Sequence, residues 1–146
     1  MNKIIFIPGQ IPSLKNSKIM GRFPSKTVMK WLRLFGIQGY SGRKREVTFF
    51  KTIKGEYNIT EITSPIREYT KYPLKMEFHF VRNTKGGGWD FNNCNHILTD
   101  LMTALGVIPD DNVNYVLPFP YEIDGKYWTY DKENPGVILK ITELGG

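Results

Sequence analysis

Residues 74–106 leave the chain little conformational choice. Leu74, Met76, Phe78 and Phe80 alternate with Lys75, Glu77, His79 and Val81, the period of a half-buried strand. Asn83 to Gly88 follows as a glycine-rich loop carrying Lys85. The spacing then predicts a helix from Asn93 to Leu105, ended by Gly106, with Ile97, Leu98, Leu101 and Leu105 as its buried stripe. Asn92, His96 and Asp100 recur every four residues and share the opposite face. Oxygen-bearing side chains bracket this helix: Asp90, Asn92 and Asn93 before it, Asp110 and Asp111 after it. The helix dipole disfavours carboxylates just past a C-terminus. A bound cation would reverse that penalty, and hard cations such as Mg2+ or Mn2+ prefer oxygen ligands.

The rest of the chain reads as short elements. Residues 3–7 are rich in Ile and Phe and suit a buried first strand. Ser25 is placed to cap a helix over Lys26–Phe35, ended by Gly36. A second helix is expected over about Arg43–Ile53, with Val47, Phe50 and Ile53 on one face, and Pro65 and Pro73 bracket a linker. Val113–Leu117 reads as a strand broken by Pro118 and Pro120. Tyr121–Ile123 and Tyr127–Tyr130 flank Asp124-Gly125, a hairpin turn, and Val137–Thr142 is a last apolar strand. The expectation is one α/β (α+β) domain over residues 1–146, with a mixed sheet of about four to six strands and two or three helices on it.

Composition agrees with a soluble globular class: 40% hydrophobic and 23% charged residues, and no run of 18 apolar residues. The apolar start is too short for a secretory signal and lacks a cleavage site. One cysteine, Cys94, excludes an internal disulfide and a cysteine-based zinc site. The expected compartment is the cytoplasm, with no membrane partner. Charge is uneven: residues 1–54 hold 12 Lys/Arg and one acid, Glu46, whereas the remainder holds 8 Lys/Arg and 13 acids. A basic half joined to an acid-rich half is what a metal-dependent nuclease needs, cations for phosphates and carboxylates for metal.

The motif Asp90-x-Asn92-Asn93, with His96 three residues on, Asp100 four beyond that and Asp110-Asp111 ten later, resembles the RusA family of Holliday-junction resolvases. That family's signature reads Asp-x-Asp-Asn, Lys three after the Asn, Asp-x-Leu four after the Lys, then a paired Asp. Asp90, Asn93, Asp100, Asp110 and Asp111 match it, and Met102 replaces the Leu. Gly9, Pro12, Ser13, Lys15 and Asn16 resemble the family's N-terminal loop, with Leu14 inserted, and residues 20–70 are largely unmatched. Asn92 stands where the family has its second catalytic Asp, and His96 where it has Lys. The resemblance implies a prophage-type, Mg2+-dependent (or Mn2+-dependent) endodeoxyribonuclease that resolves four-way DNA junctions in recombination and repair. It implies a homodimer, which the two-fold symmetry of a junction also suits.

On this reading Asp90, Asn92, Asp111 and His96 are the catalytic candidates, and Asp90, Asn92, Asp110 and Asp111 the metal ligands. Lys15, Asn16, Lys18, Arg82 and Lys85 would contact branched double-stranded DNA, with Arg43, Lys44 and Arg45 as a further patch. Twelve helical steps carry the chain roughly 18 Å from Asn93 to Leu105. Six extended steps return roughly 20 Å. Asp111 therefore reaches Asp90 only if Gly106–Asp110 runs back along the helix; otherwise a second subunit completes the site. Taken singly, Asp90 and Asn92 could belong to a helix cap and Asp110-Asp111 to a turn. Two alternatives follow: a weakened or inactive relative that binds branched DNA without cutting, and a basic protein-interaction module.

Overall fold

The structure, a computed structural model, describes residues 2–13 and 25–144. It is a mixed α+β fold with three helices, a five-stranded mixed sheet and a separate two-stranded sheet among the described residues. The strands are β1 (Asn2–Pro8), β2 (Ile37–Ser41), β3 (Glu46–Phe49), β4 (Leu74–Arg82), β5 (Val116–Pro120), β6 (Trp128–Tyr130) and β7 (Gly136–Glu143). The helices are α1 (Lys26–Arg33), α2 (Ile59–Thr63) and α3 (Phe91–Ala104), with a 3-10 turn over Ser64–Glu68.

Strand β4 organises the large sheet. It pairs antiparallel with β7, which pairs antiparallel with β1, and it pairs parallel with both β5 and β6. Parallel neighbours need a crossover connection, and α3 supplies it between β4 and β5. The alternation read from the sequence sends Leu74, Met76, Phe78 and Phe80 into the core against Val137, Leu139 and Ile141. Ile97, Leu98 and Leu101 of α3 and Val28, Trp31 and Leu32 of α1 close over the same layer. Each such side chain contributes about 1.5–3 kcal/mol by leaving water. The other face keeps His79 buried: its Nδ1–H donates to the Tyr121 carbonyl (2.8 Å) and Nε2 accepts from the Thr129 hydroxyl (3.2 Å).

Helix ends follow their local chemistry. Ser25 Oγ accepts the Val28 N–H at 3.3 Å and starts α1. At the end of α3, Gly106 takes φ +74°, and the Val107 and Gly106 N–H groups return to the Met102 and Thr103 carbonyls. That is a Schellman closure, which needs a residue tolerant of the left-handed region.

Four expectations are corrected. Residues 43–53 are not a helix: Glu46–Phe49 pairs with Ile37–Ser41 as a hairpin whose turn includes Arg45 at φ +55°. The stretch between Pro65 and Pro73 is not a plain linker, since the 3-10 turn over Ser64–Glu68 runs into it. The strand expected over 113–117 lies at 116–120, prolines included, because β5 is an outer strand where a missing N–H breaks no ladder bond. The hairpin about Asp124-Gly125 keeps its turn, with both residues at positive φ, but only Ile123 and Lys126 bridge across it. Its second arm, β6, pairs with β4 instead.

Candidate functional site

The head of α3 is set by Asp90. It is the N-cap, in extended conformation, and its Oδ1 accepts the Asn93 N–H at 3.0 Å. The Asp90 N–H donates to Ser13 Oγ at 2.6 Å. Arg82 tightens the same junction: its guanidinium donates to the Ile11 carbonyl and to Cys94 Sγ and lies 5.2 Å from the Trp89 ring. Arg82 is only 6% exposed, so the expectation that it contacts phosphate is corrected. It ties β4, α3 and the 9–13 loop together. Cys94 is fully buried and free, and burial raises its thiol pKa.

The tail of α3 carries the second oxygen cluster. The loop after Gly106 turns back along the helix, so that the carboxyl of Asp111 feels the charges of His96 and Asp100. Two arginines hold it there. Arg67 donates to the Leu105 carbonyl (2.7 Å) and the Gly106 carbonyl (3.1 Å), and Arg45 donates to the Ile108 and Pro109 carbonyls. Gly42 of the β2–β3 turn lies directly on Asp100, and a Cβ there would sit 2.2 Å from Asp100 Oδ1. Gly42, Arg43, Arg45, His96, Asp100, Thr103 and Pro109–Asp111 together line an open cavity of about 450 Å³.

Its electrostatics are uneven. Asp110 Oδ1 accepts the Asp111 N–H (2.7 Å) and Oδ2 the Asn112 amide (3.1 Å). The Asp111 N–H bond first, then a bond to the Asp111 side chain, with the Asn112 amide and Arg45 adding less, lower its pKa. Asp111 is pushed the other way, first by burial, then by Asp110 and Asp100, with His96 opposing. The pair holds a proton at Asp111 more readily than an isolated aspartate does. Burial raises the Tyr40 hydroxyl as well, with Asp100 adding to it. Asp100 is 7% exposed, while His96 stays exposed at the rim.

The structure thus gathers His96, Asp110 and Asp111 from the expected set, together with Asp100. Asp90 does not join them: it acts on Asn93 and Cys94, about 9 Å along the helix axis from His96. Asn92 is exposed one turn before His96. Among the described residues no three His, Cys, Asp or Glu side chains are placed to share one metal ion. The donor chemistry of Asp110–Asp111, two adjacent carboxylates, is of the kind a hard cation takes. Lys85 is exposed beside the Tyr130 ring, and Lys15, Asn16 and Lys18 lie outside the described residues. Arg67 and Gly42 carried no sequence signal, because their partners are 38 or more residues away.

Comparisons with protein-family models, with curated proteins and with solved structures found no match. No helix among the described residues is long and apolar enough to cross a membrane.

Proposed function

We propose that this chain is a divalent-metal-dependent, structure-specific endodeoxyribonuclease of the RusA type, acting on four-way DNA junctions as a homodimer in the cytoplasm. The observation that supports this best is the folding back of Asp110 and Asp111 onto His96 and Asp100, beneath Arg43 and Arg45. It joins the spacing of Asp90, Asn93, Asp100 and Asp110-Asp111 along the chain. Asp110 and Asp111 would hold the cation, and because Asp90 and Asn92 stand away at the helix head, their oxygens would come from a second copy of the chain in the homodimer. Such a cation, Mg2+ or Mn2+, supplies Lewis acidity toward the phosphate and a more acidic bound water. Arg43 is exposed at the cavity rim and serves the phosphate, whereas Arg45 is engaged by the 108–109 carbonyls. His96, exposed on the same face, would give a proton to the leaving oxygen.

The assay is cleavage of a labelled four-way junction against a linear duplex with Mg2+ or Mn2+. Asp111→Asn and Asp90→Asn are each expected to abolish cutting and leave junction binding near normal. Asn caps a helix about as well as Asp. The Asp90 variant therefore tests the charge of that group without unseating α3. A second reading, binding of branched DNA without hydrolysis, is favoured by the neutral Asn92 and by the capping bond that occupies Asp90 Oδ1. Junction binding with no cutting in either metal selects it. Failure to bind at low salt rejects both.

A further inference from the structure

The surface around β6 is both aromatic and basic. Lys85, Lys126, Tyr127, Trp128, Thr129 and Tyr130 line a shallow cavity of about 440 Å³. Every charged residue in that lining is basic. Tyr127 is 57% exposed and Tyr130 is 41% exposed, although both are large and aromatic. Scattered exposed aromatics need no explanation. Two in one cavity, flanked by two lysines and no acid, are a different matter. Lys85 Nζ already lies 5.4 Å from the Tyr130 ring centroid, so cation and ring face the same solvent. Lys85 reaches there from a glycine loop with open space around Gly86, Gly87 and Gly88.

The fold explains why this patch stays open. Strand β6 pairs only with β4, which leaves its outer edge without a neighbour among the described residues. The patch is also joined to the head of α3. Trp128 packs edge-on against Trp89 at 5.7 Å, and Trp89 precedes Asp90 at the head of α3. The nearby Asp131 is engaged locally, its Oδ1 accepting the Glu133 and Asn134 N–H groups.

We infer that the β6 surface is a platform for an unpaired DNA strand, with bases stacking on Tyr127 and Tyr130 and phosphates held by Lys85 and Lys126. Positive charge beside free aromatic faces is the chemistry that binds single strands with little sequence preference. The platform would hold a strand that leaves the duplex next to Asp90. This rests on reading the chain as a DNA-binding protein; it does not need the chain to cut DNA.

The test uses the full chain in EDTA and fluorescence anisotropy. The probes are an oligo-dT of about a dozen nucleotides and an abasic strand of the same length, which keeps the phosphates and lacks the bases. Wild type is expected to bind oligo-dT about tenfold or more tighter than the abasic strand. Tyr127→Ala with Tyr130→Ala should erase that difference, and Tyr127→Phe with Tyr130→Phe should restore it. Lys85→Gln with Lys126→Gln should weaken both probes and lower the salt slope by about 1.4, two phosphates' worth for a single strand. Thermal melting confirms that the variants fold. Equal binding of the two probes by wild type overturns the inference, as does an alanine pair that binds oligo-dT like wild type. A chain that cuts junctions yet shows either result loses only the platform. A chain that cuts nothing but shows the tyrosine-dependent preference keeps the platform and loses the nuclease reading.

Discussion

The contact of Gly42 with α3 gives the sharpest test of how the acidic loop is held. A Cβ at residue 42 would meet Asp100 Oδ1 at 2.2 Å, Cγ at 3.0 Å and the backbone oxygen at 3.1 Å. Asp100 has little room to yield, being buried beside Tyr40 and Asp111. Gly39, on the same hairpin, has nothing within 4 Å of its own Cβ position. Gly42→Ala and Gly39→Ala therefore share one chemistry and differ in the wall they meet. Both lose about 0.4–1 kcal/mol of unfolded-state entropy, which favours the folded form. Only Gly42→Ala overpacks, at about 1–3 kcal/mol. The two variants should differ by about that amount in urea unfolding, or by about 2–4 °C in melting temperature per kcal/mol for a chain of this size. Gly42→Ala should also free the Arg45 hydrogen bonds to the 108–109 carbonyls, seen as faster amide exchange after Gly106. Equal stability of the two variants would refute the claim that the hairpin is seated on Asp100.

Two further outcomes bear on the same region. NMR titration of the carboxyl carbons should place Asp110 below the usual aspartate range and Asp111 above it, and coincident midpoints would overturn the uneven pair. Because the folded pKa of Asp111 is raised, its contribution to stability is complete below its unfolded pKa and is lost as pH rises through the folded value. Asp110 runs oppositely, contributing above its unfolded pKa and losing that as pH falls through its lowered folded value. Asp111→Asn should accordingly gain stability relative to wild type as pH rises, in metal-free buffer, and a pH-independent difference would count against it. Arg67→Ala should cost about 1 kcal/mol by urea unfolding, the net worth of a hydrogen bond or two at a half-solvated helix end, and an unchanged midpoint would show that the Leu105 and Gly106 carbonyls are content with water.

What could be read from the sequence was whatever depended on neighbours in sequence. Alternation over Leu74–Val81, the Ser25 cap and the Gly106 stop all stand in the structure, because strand period and capping are local. The failures lie where tertiary pairing decides. Val47, Phe50 and Ile53 have helix-compatible spacing, yet strand pairing with Ile37–Ser41 takes the segment, and Ile53 ends up exposed. Trp128–Tyr130 was legible as a strand, but its partner was not: the nearest turn offered residues 121–123, and β4 took it instead. Arg82 looked like a surface cation because charge is usually outside. Only the fold reveals the Ile11 carbonyl and the Trp89 ring that hold it.

The arginines also change the reason for expecting a cation. From sequence, carboxylates beyond a helix C-terminus argued for bound metal, since the dipole leaves that end negative. In the fold Arg67 occupies the Leu105 and Gly106 carbonyls, and Arg45 those of Ile108 and Pro109. Two guanidinium groups therefore already offset the helix end, and Asp110 draws on Arg45 as well. Asp111 does not share in this. Burial raises its pKa first, and Asp110 and Asp100 raise it further, with His96 opposing them. The unmet negative charge is concentrated on one carboxyl. A divalent ion bound there must displace the proton that burial and the acidic neighbours favour, so its affinity should climb with pH through the titration of Asp111. The chain thus separates two tasks that one metal was first asked to perform: arginines neutralise the helix end, and Asp111 is left as the group with most to gain from a cation.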